Sequence, residues 1–180
     1  MNATMRQGLR PLEEFYVAER WPIPNITLMD GDLMPEPYKD LLVHQQDMTP
    51  TLEQYHNCPM GLRVIKWLEV GNGVLRMVAL TRKTDGKPAE FGAIKIEVNG
   101  FPPEGQKMIL EGKKPFGTIL RELKMPHKGN PLGFFSVESD AHINAALGLS
   151  GKHLLYGRLN TLQDQHGHLL AEIVEVLPPC

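Results

Sequence analysis

An arginine lies within an otherwise apolar segment, GVLRMVAL, at position 76. If this segment is a β-strand, Arg76 shares a face with Val74 and Val78, because alternate side chains of a strand point to the same side. A buried guanidinium needs an anionic partner, and its planar fork can hold a carboxylate through two parallel hydrogen bonds. The alternative is that Arg76 points to solvent, and the pattern alone leaves both interpretations open.

Two carboxylates interrupt the last apolar segment, LLAEIVEVL, at Glu172 and Glu175. They are three residues apart, so on a strand they face opposite sides and at most one of them points into a given pocket. A buried carboxylate beside an arginine can act as a base or bind a hydroxyl group, with a pKa set by burial and by the neighbouring charge.

Other residue types that bind metals or cofactors form no recognisable motif. The sequence lacks the glycine-rich nucleotide loops, the HExxH zinc motif and the GxSxG nucleophile motif. Its seven histidines do not cluster, and His166 and His168 flank Gly167 at an expected turn, which favours a solvated turn over a metal-binding pair. We therefore expect no metal and no organic cofactor.

Composition and charge exclude several classes of protein. A formal net charge of −2 over 180 residues produces no general basic field, so we expect no nucleic-acid partner. No segment approaches the roughly 20 apolar residues of a membrane span, and the N-terminus lacks the apolar core of a signal peptide. Cys58 and Cys180 form no paired framework, and we interpret both as thiols in a reducing compartment. These features predict a soluble, cytoplasmic protein with no membrane partner.

Strands must position most of the polar residues described above. The segments LRVIKWLEV and VLRMVALTRK are joined by the turn sequence GNG, and DG at residues 85–86 leads into AEFGAIKIEVN. This pattern predicts three hairpin-linked strands. Near the C-terminus, HLLYGRLNTLQ and HLLAEIVEVL flank DQHGH, which predicts a last hairpin.

Short helices are expected between the strands. Thr49 is the predicted N-cap of one helix, with Pro50 at its first position, and Phe116 begins another that runs to about Met125. The segment DAHINAALGLSG is either a helical piece or a loop.

The first forty residues differ from the rest of the chain, because they are rich in proline. We interpret residues 1–40 as an extended lead-in, since Pro22, Pro24, Pro35 and Pro37 disfavour helix. The whole chain, residues 1–180, is predicted to be a single α+β domain. It is built on an antiparallel β-sheet with helices grouped on one side.

Four blocks of this sequence, in order, resemble the chorismate pyruvate-lyase family over roughly residues 40–179. They are LLVHQQDMTPTLEQ, LRMVALTRKTDGKPAEFGAIKIEV, GKKPFGTIL, and GLSGKHLL with GHLLAEIVEVLPP. The resemblance implies the family's fold and a lyase that converts chorismate to 4-hydroxybenzoate and pyruvate without a cofactor. It also implies a place in ubiquinone synthesis.

The resemblance assigns roles to residues of this chain. It implies that Arg76 grips the substrate carboxylate and that the main-chain N–H groups of Met48 and Phe116 bind the ligand. The carboxylate that anchors the hydroxyl or takes the proton matches Glu175 if no gap precedes the last proline, and Glu172 in the other alignment. We prefer Glu175. The catalytic residues implied are therefore Arg76 and Glu175.

Three departures from the family pattern bear on the identity of the substrate but not on the fold. Asp47 replaces a serine and adds a negative charge near the expected anion, Phe116 replaces a leucine, and Ser150 replaces a tryptophan. The alternative function is a protein of this fold that acts on or senses a different small cyclic carboxylic acid without chorismate turnover. Effector-binding domains of some bacterial transcription regulators resemble the same fold. Those domains normally follow a helix-turn-helix module, which residues 1–40 are not expected to supply, so the enzyme is the favoured interpretation.

Overall fold

The computed structural model describes residues 3–180, and its side chains from Gln7 onward. A seven-stranded sheet with the order β1–β5–β6–β7–β4–β3–β2 forms the centre, and every neighbouring pair is antiparallel. The strands are β1 Ile26–Met29, β2 Met60–Val70, β3 Gly73–Arg82, β4 Pro88–Ile96, β5 His127–Glu138, β6 Leu154–Asp164 and β7 Leu169–Leu177. The helices are α1 Ala3–Ala18, α2 Tyr38–Leu42, α3 Met48–His56, α4 Pro103–Glu111, α5 Phe116–Glu122 and α6 Ala141–Leu147.

This architecture confirms the predicted α+β class on an antiparallel sheet. The three hairpin-linked strands are β2, β3 and β4, and the last hairpin is β6–β7. Gly71 begins the first turn with a φ of 59°, a left-handed conformation that glycine adopts without steric cost. Arg76 lies in the middle of β3, opposite Trp67 of β2 and Ile94 of β4.

The interpretation of residues 1–40 as an extended lead-in is wrong for its first half. Residues 3–18 form helix α1, whose buried residues Leu9, Leu12, Phe15 and Tyr16 recur at helical spacing. The helix ends before Pro22, the first of the prolines on which the extended interpretation was based. The apolar spacing in α1 therefore outweighs the proline content of the residues that follow it.

The predicted start of α3, with Thr49 as the N-cap, is also wrong by two positions. Asp47 is the N-cap of α3, with extended backbone angles, and Met48 is the first helical residue. Pro50 lies in the first turn, where its missing N–H would have no helical acceptor in any case. Helix α5 begins at Phe116 as predicted but ends at Glu122, and α6 confirms the helical alternative for DAHINAALGLSG.

The helices cover both faces of the sheet, so the expected grouping on one side holds only for four of them. Helices α1 and α6 pack on the face that carries Leu75 and Met77 of β3. Helices α2 to α5 pack on the opposite face, which carries Val74 and Leu80. Because side chains alternate along β3, Arg76 belongs to the second face, beneath the larger group of helices.

No helix within residues 3–180 combines the length and the apolar character that crossing a membrane requires.

Candidate ligand-binding site

A cavity lies between the second face of the sheet and the beginnings of helices α3 and α5. The space open to the centre of a water molecule is about 50 Å³, several times the roughly 10–15 Å³ that one buried water needs. The cavity can therefore hold a small molecule. The lining residues with main-chain or side-chain polar groups include Asp47, Met48, Arg76, Glu90, Phe116, Asn160 and Glu175.

Arg76 is buried in this cavity and is not exposed to solvent. Its side chain is 1% exposed, and Nε and Nη1 have no hydrogen-bond partner among the described residues. The guanidinium carbon lies 5.8 Å from the centre of the Trp67 ring, within the range of a cation–π contact. Burial lowers the pKa of Arg76 to about 10, so the side chain remains a cation at neutral pH.

A second arginine, Arg158, lies fully buried on the same face and was missed from the sequence. Its Nε donates to Glu175 Oε2, which forms an ion pair inside the protein. Its Nη1 donates to the main-chain oxygen of His44 at 3.0 Å, and its Nη2 donates to that of Gln46 at 2.9 Å. Arg158 therefore ties β6 and β7 to the segment that precedes α3. The signal in the sequence was an arginine in the apolar segment LLYGRL, comparable to the one in β3.

The two carboxylates of β7 lie on opposite faces, as their spacing predicts. Glu175 lines the cavity, whereas Glu172 lies on the α1 side and accepts a hydrogen bond of 3.3 Å from Gln7 Nε2. Glu175 is thus the carboxylate on the Arg76 side of the sheet. Its partner in the structure is Arg158, whose Nε donates to Glu175 Oε2.

Two further polar residues of the cavity, Glu90 and Asn160, were also missed. Glu90 Oε2 and both amide atoms of Asn160 are buried and unpaired among the described residues. Burial and the nearby Glu175 carboxylate raise the pKa of Glu90 well above its usual range, although Arg158 opposes this shift. The environment of Glu90 therefore favours its protonated, neutral form. A carboxylate within AEFGAIKIEV was a visible signal for Glu90, whereas an asparagine in β6 was not.

Met48 and Phe116 both line the cavity, each as the first residue of a helix. The N–H of a first helical residue has no acceptor within its own helix. The two helix starts lie unusually close: a Cβ atom on Gly117 would be 2.8 Å from Thr49 Oγ1. Glycine at position 117 therefore lets α3 and α5 approach each other at the edge of the cavity.

Asp47, which departs from the lyase pattern, lines the cavity and forms an ion pair with His127. The distance from His127 Nε2 to Asp47 Oδ2 is 2.8 Å, and His127 Nδ1 lies 2.8 Å from the main-chain oxygen of Met125. Both side chains of the pair are 19% exposed. The Asp47 carboxylate raises the pKa of His127, while partial burial opposes the shift.

The two histidines at the β6–β7 turn lie far from this arrangement. Gly167 separates them with a positive φ of 84°, and the His168 ring contacts Asp164 at 3.0 Å on an exposed surface. Within residues 3–180, His, Cys, Asp and Glu side chains form no group of three that could hold a metal ion.

Comparison with known proteins gives matches to solved structures. No protein-family profile matches the chain, and no curated protein matches it. PhnF from Mycobacterium smegmatis has a TM-score of 0.54 and 13% identity over 75% of this chain and 64% of its own. The chain thus spans less than two thirds of that protein. Its isolated effector domain gives a TM-score of 0.54 and 13% identity over 73% of this chain and 87% of the domain.

A third structure is the ligand-binding domain of a GntR-family transcriptional regulator from Bordetella bronchiseptica. It has a TM-score of 0.51 and 12% identity over 66% of this chain and 85% of that domain. The chain shares the chorismate-lyase-like fold of these domains. At these identities, the likeness shows the fold alone.

These comparisons correct the predicted activity. The prediction of a chorismate pyruvate-lyase, with its link to ubiquinone synthesis, is wrong, because the solved structures that match are named as transcriptional regulators and their ligand-binding domains, and not as lyases. The physical reason is that the four blocks supply turns, core positions and a pocket arginine. A domain that binds a ligand needs the same features as an enzyme of this fold. The expectation of no nucleic-acid partner is likewise unsupported, because the neighbours are transcriptional regulators.

Proposed function

We propose that this protein binds a small cyclic carboxylic acid in the cavity beside Arg76 and senses that acid without converting it. The observation that carries the proposal is the guanidinium of Arg76, which is buried with Nε and Nη1 unpaired among the described residues. A cation taken out of water is unfavourable unless an anion and hydrogen bonds compensate for its lost hydration. A ligand carboxylate supplies both, since its two oxygens accept from two guanidinium N–H groups.

The other residues that line the cavity suit a ligand whose ring carries a second polar group. Apolar side chains from the sheet and from α5 surround the polar atoms and suit a small ring; they include Val78, Ile94, Phe116, Leu162 and Ile173. Glu90 and Asn160 offer unpaired polar atoms away from the helix starts. The main-chain N–H groups of Met48 and Phe116 are proposed to complete the contacts to the ligand.

The cavity is lined by segments that are far apart in the chain, and this arrangement supports a sensing role. The starts of α3 and α5 line one side of the cavity. Strands from both halves of the sheet line the other side. A ligand in this position bridges segments that are far apart in the chain, so it can shift the relative placement of those helices. Ligand-binding domains of transcriptional regulators share the fold, and this agrees with a sensing role.

The test is calorimetric titration of the purified protein with benzoate, cyclohexanecarboxylate and the neutral analogue benzamide. We expect the two acids to bind and benzamide to bind at least about tenfold more weakly, because only the acids pair with a buried cation. Arg76→Met should abolish binding of the acids, whereas Arg10→Met, at an exposed position, should not. Chromatography after incubation should recover the acid unchanged. Equal affinity for benzoate and benzamide would contradict the proposal.

A further inference from the structure

We propose that His127, held as an imidazolium between Asp47 and the main-chain oxygen of Met125, sets the charge of the cavity and makes acid binding depend on pH. This inference rests on the proposed function, because it concerns the same ligand site. It assigns a role to Asp47 and His127, the pair formed where this chain departs from the lyase pattern.

The hydrogen-bond geometry of the ring supports the imidazolium form. His127 Nδ1 lies 2.8 Å from a carbonyl oxygen, and Nε2 lies 2.8 Å from a carboxylate oxygen of Asp47. Both of these oxygens only accept hydrogen bonds, so both ring nitrogens must donate. A neutral imidazole carries one N–H, whereas the imidazolium carries two. The ring is therefore positively charged in this arrangement.

The position of Asp47 explains why that charge matters to a ligand. Asp47 lines the cavity immediately before Met48, and its side chain forms no capping hydrogen bond to α3. A Cβ atom on Gly117 would lie 3.8 Å from Asp47 Cβ, so the aspartate is also close to the start of α5. An uncompensated carboxylate at this point repels an incoming acid. The imidazolium of His127 neutralises it and lets the cavity accept an anion.

Deprotonation reverses this effect. A neutral His127 that keeps its Nδ1–H bond to Met125 turns the lone pair of Nε2 toward the Asp47 carboxylate, and the attraction becomes a repulsion. Because Asp47 raises the pKa of His127 above its ordinary value of 6.5, the change occurs above that pH. Affinity for an acid should therefore be full at pH 6 and should fall as the pH rises through the raised pKa.

The other charged groups around His127 do not replace Asp47 as its partner. Asp164 lies opposite His127 in the pairing of β5 with β6. The Asp164 carboxylate, however, accepts hydrogen bonds from the main-chain N–H groups of His166 and His168 and contacts the His168 ring. Lys124 and Lys128 precede and follow His127 in the chain and are exposed.

Inside the cavity, Arg76 has a pKa of about 10 and remains mostly charged up to pH 9, and Glu90 is a second group whose ionisation would disfavour an acid. The experiment must therefore distinguish the effect of His127 titration on binding from the effect of Glu90 titration.

The experiment measures the dissociation constant of benzoate by calorimetry from pH 6 to pH 9 for the full chain and for His127→Gln, Asp47→Asn and Glu90→Gln. We expect the wild-type affinity to fall by about tenfold or more over this range, because one nearby charge that is not neutralised has an effect of this order on an anion. Asp47→Asn should remove most of the fall and should bind benzoate better than wild type at pH 9. His127→Gln should bind weakly already at pH 6, and Glu90→Gln should keep the fall.

A fall that persists in both His127→Gln and Asp47→Asn, or a wild-type affinity that does not change with pH, would overturn the inference. Failure of benzoate to bind at every pH would instead count against the proposed function. Nuclear magnetic resonance of the ligand-free protein gives an independent readout. The His127 ring should carry two protons at pH 6.5, and its pKa should lie above the ordinary value of 6.5. Asp47→Asn should lower that pKa. A single ring proton at pH 6.5 would also overturn the inference.

Discussion

Arg76 and Arg158 are buried on the same face of the sheet but differ in their hydrogen bonds. Arg158 donates to the Glu175 carboxylate and to main-chain oxygens of the segment before α3, whereas Nε and Nη1 of Arg76 are unpaired among the described residues. The protein thus holds one cation that its own residues compensate and one that they do not. Arg158 holds the segment before α3 against the sheet, and we propose that a ligand carboxylate compensates Arg76.

Replacing Arg76 should abolish acid binding without weakening the fold. In Arg76→Met, a buried cation without a partner is replaced by an apolar side chain, so the free energy of unfolding should stay within about 1 kcal/mol of wild type or rise. Urea denaturation measures this free energy, and titration with benzoate measures the loss of binding. A loss of stability of several kcal/mol would indicate a structural arginine instead.

Replacing Arg158 should have the opposite effect on stability. Arg158→Met leaves the Glu175 carboxylate buried without its partner and frees the main-chain oxygens of His44 and Gln46, so the protein should lose about 3–5 kcal/mol. The double variant Arg158→Met/Glu175→Met should recover a large part of that loss, because no unpaired charge remains. If the loss in the double variant equals the sum of the losses in Arg158→Met and Glu175→Met, the ion pair is not the cause.

Glu90 should make the protein less stable as the pH rises. Its pKa in the folded state is raised above the unfolded value of about 4.3, so the folded state binds more protons between these two values and stability falls across that window. Glu90→Gln resembles the neutral acid and cannot ionise, so it should flatten this fall. Urea denaturation of both proteins at pH 5 and pH 8 gives the comparison. Equal pH dependence of stability in the two proteins would contradict a raised pKa of Glu90 in the folded state.

A methyl group at position 117 should disturb the cavity from its rim. In Gly117→Ala, the new Cβ would be 2.8 Å from Thr49 Oγ1 and 3.0 Å from Thr49 Cβ, so α3 and α5 must separate. We expect a loss of stability of about 1–3 kcal/mol and weaker benzoate binding. Thr49→Ala combined with Gly117→Ala removes the closest contact and should recover part of both losses. A single variant that binds benzoate as wild type does would show that the close approach is unimportant.

The residue-by-residue expectations succeeded where the signal was local. Alternation and turn residues placed Arg76 in the middle of β3, and a spacing of three placed Glu172 and Glu175 on opposite faces. The lyase resemblance supplied the fold but overstated the activity, since blocks that build a pocket do not distinguish conversion of a ligand from its recognition. Helix α1 was missed because proline content was weighed above the apolar spacing of Leu9, Leu12 and Phe15.

The sequence by itself determined the strands of the two hairpin groups, β2 to β4 and β6 to β7, and their antiparallel pairing, because period-two alternation and turn chemistry act between residues close in the chain. It did not indicate β1 or β5. Only the tertiary structure decided which polar side chains meet. Arg158 joins Glu175 and the segment before α3, which is more than 100 residues earlier in the chain, and His127 joins Asp47 over a separation of 80 residues. Such pairs depend on how strands and helix starts pack in space. No local pattern therefore indicates which buried arginine the protein's own residues compensate and which one they leave without a partner among the described residues.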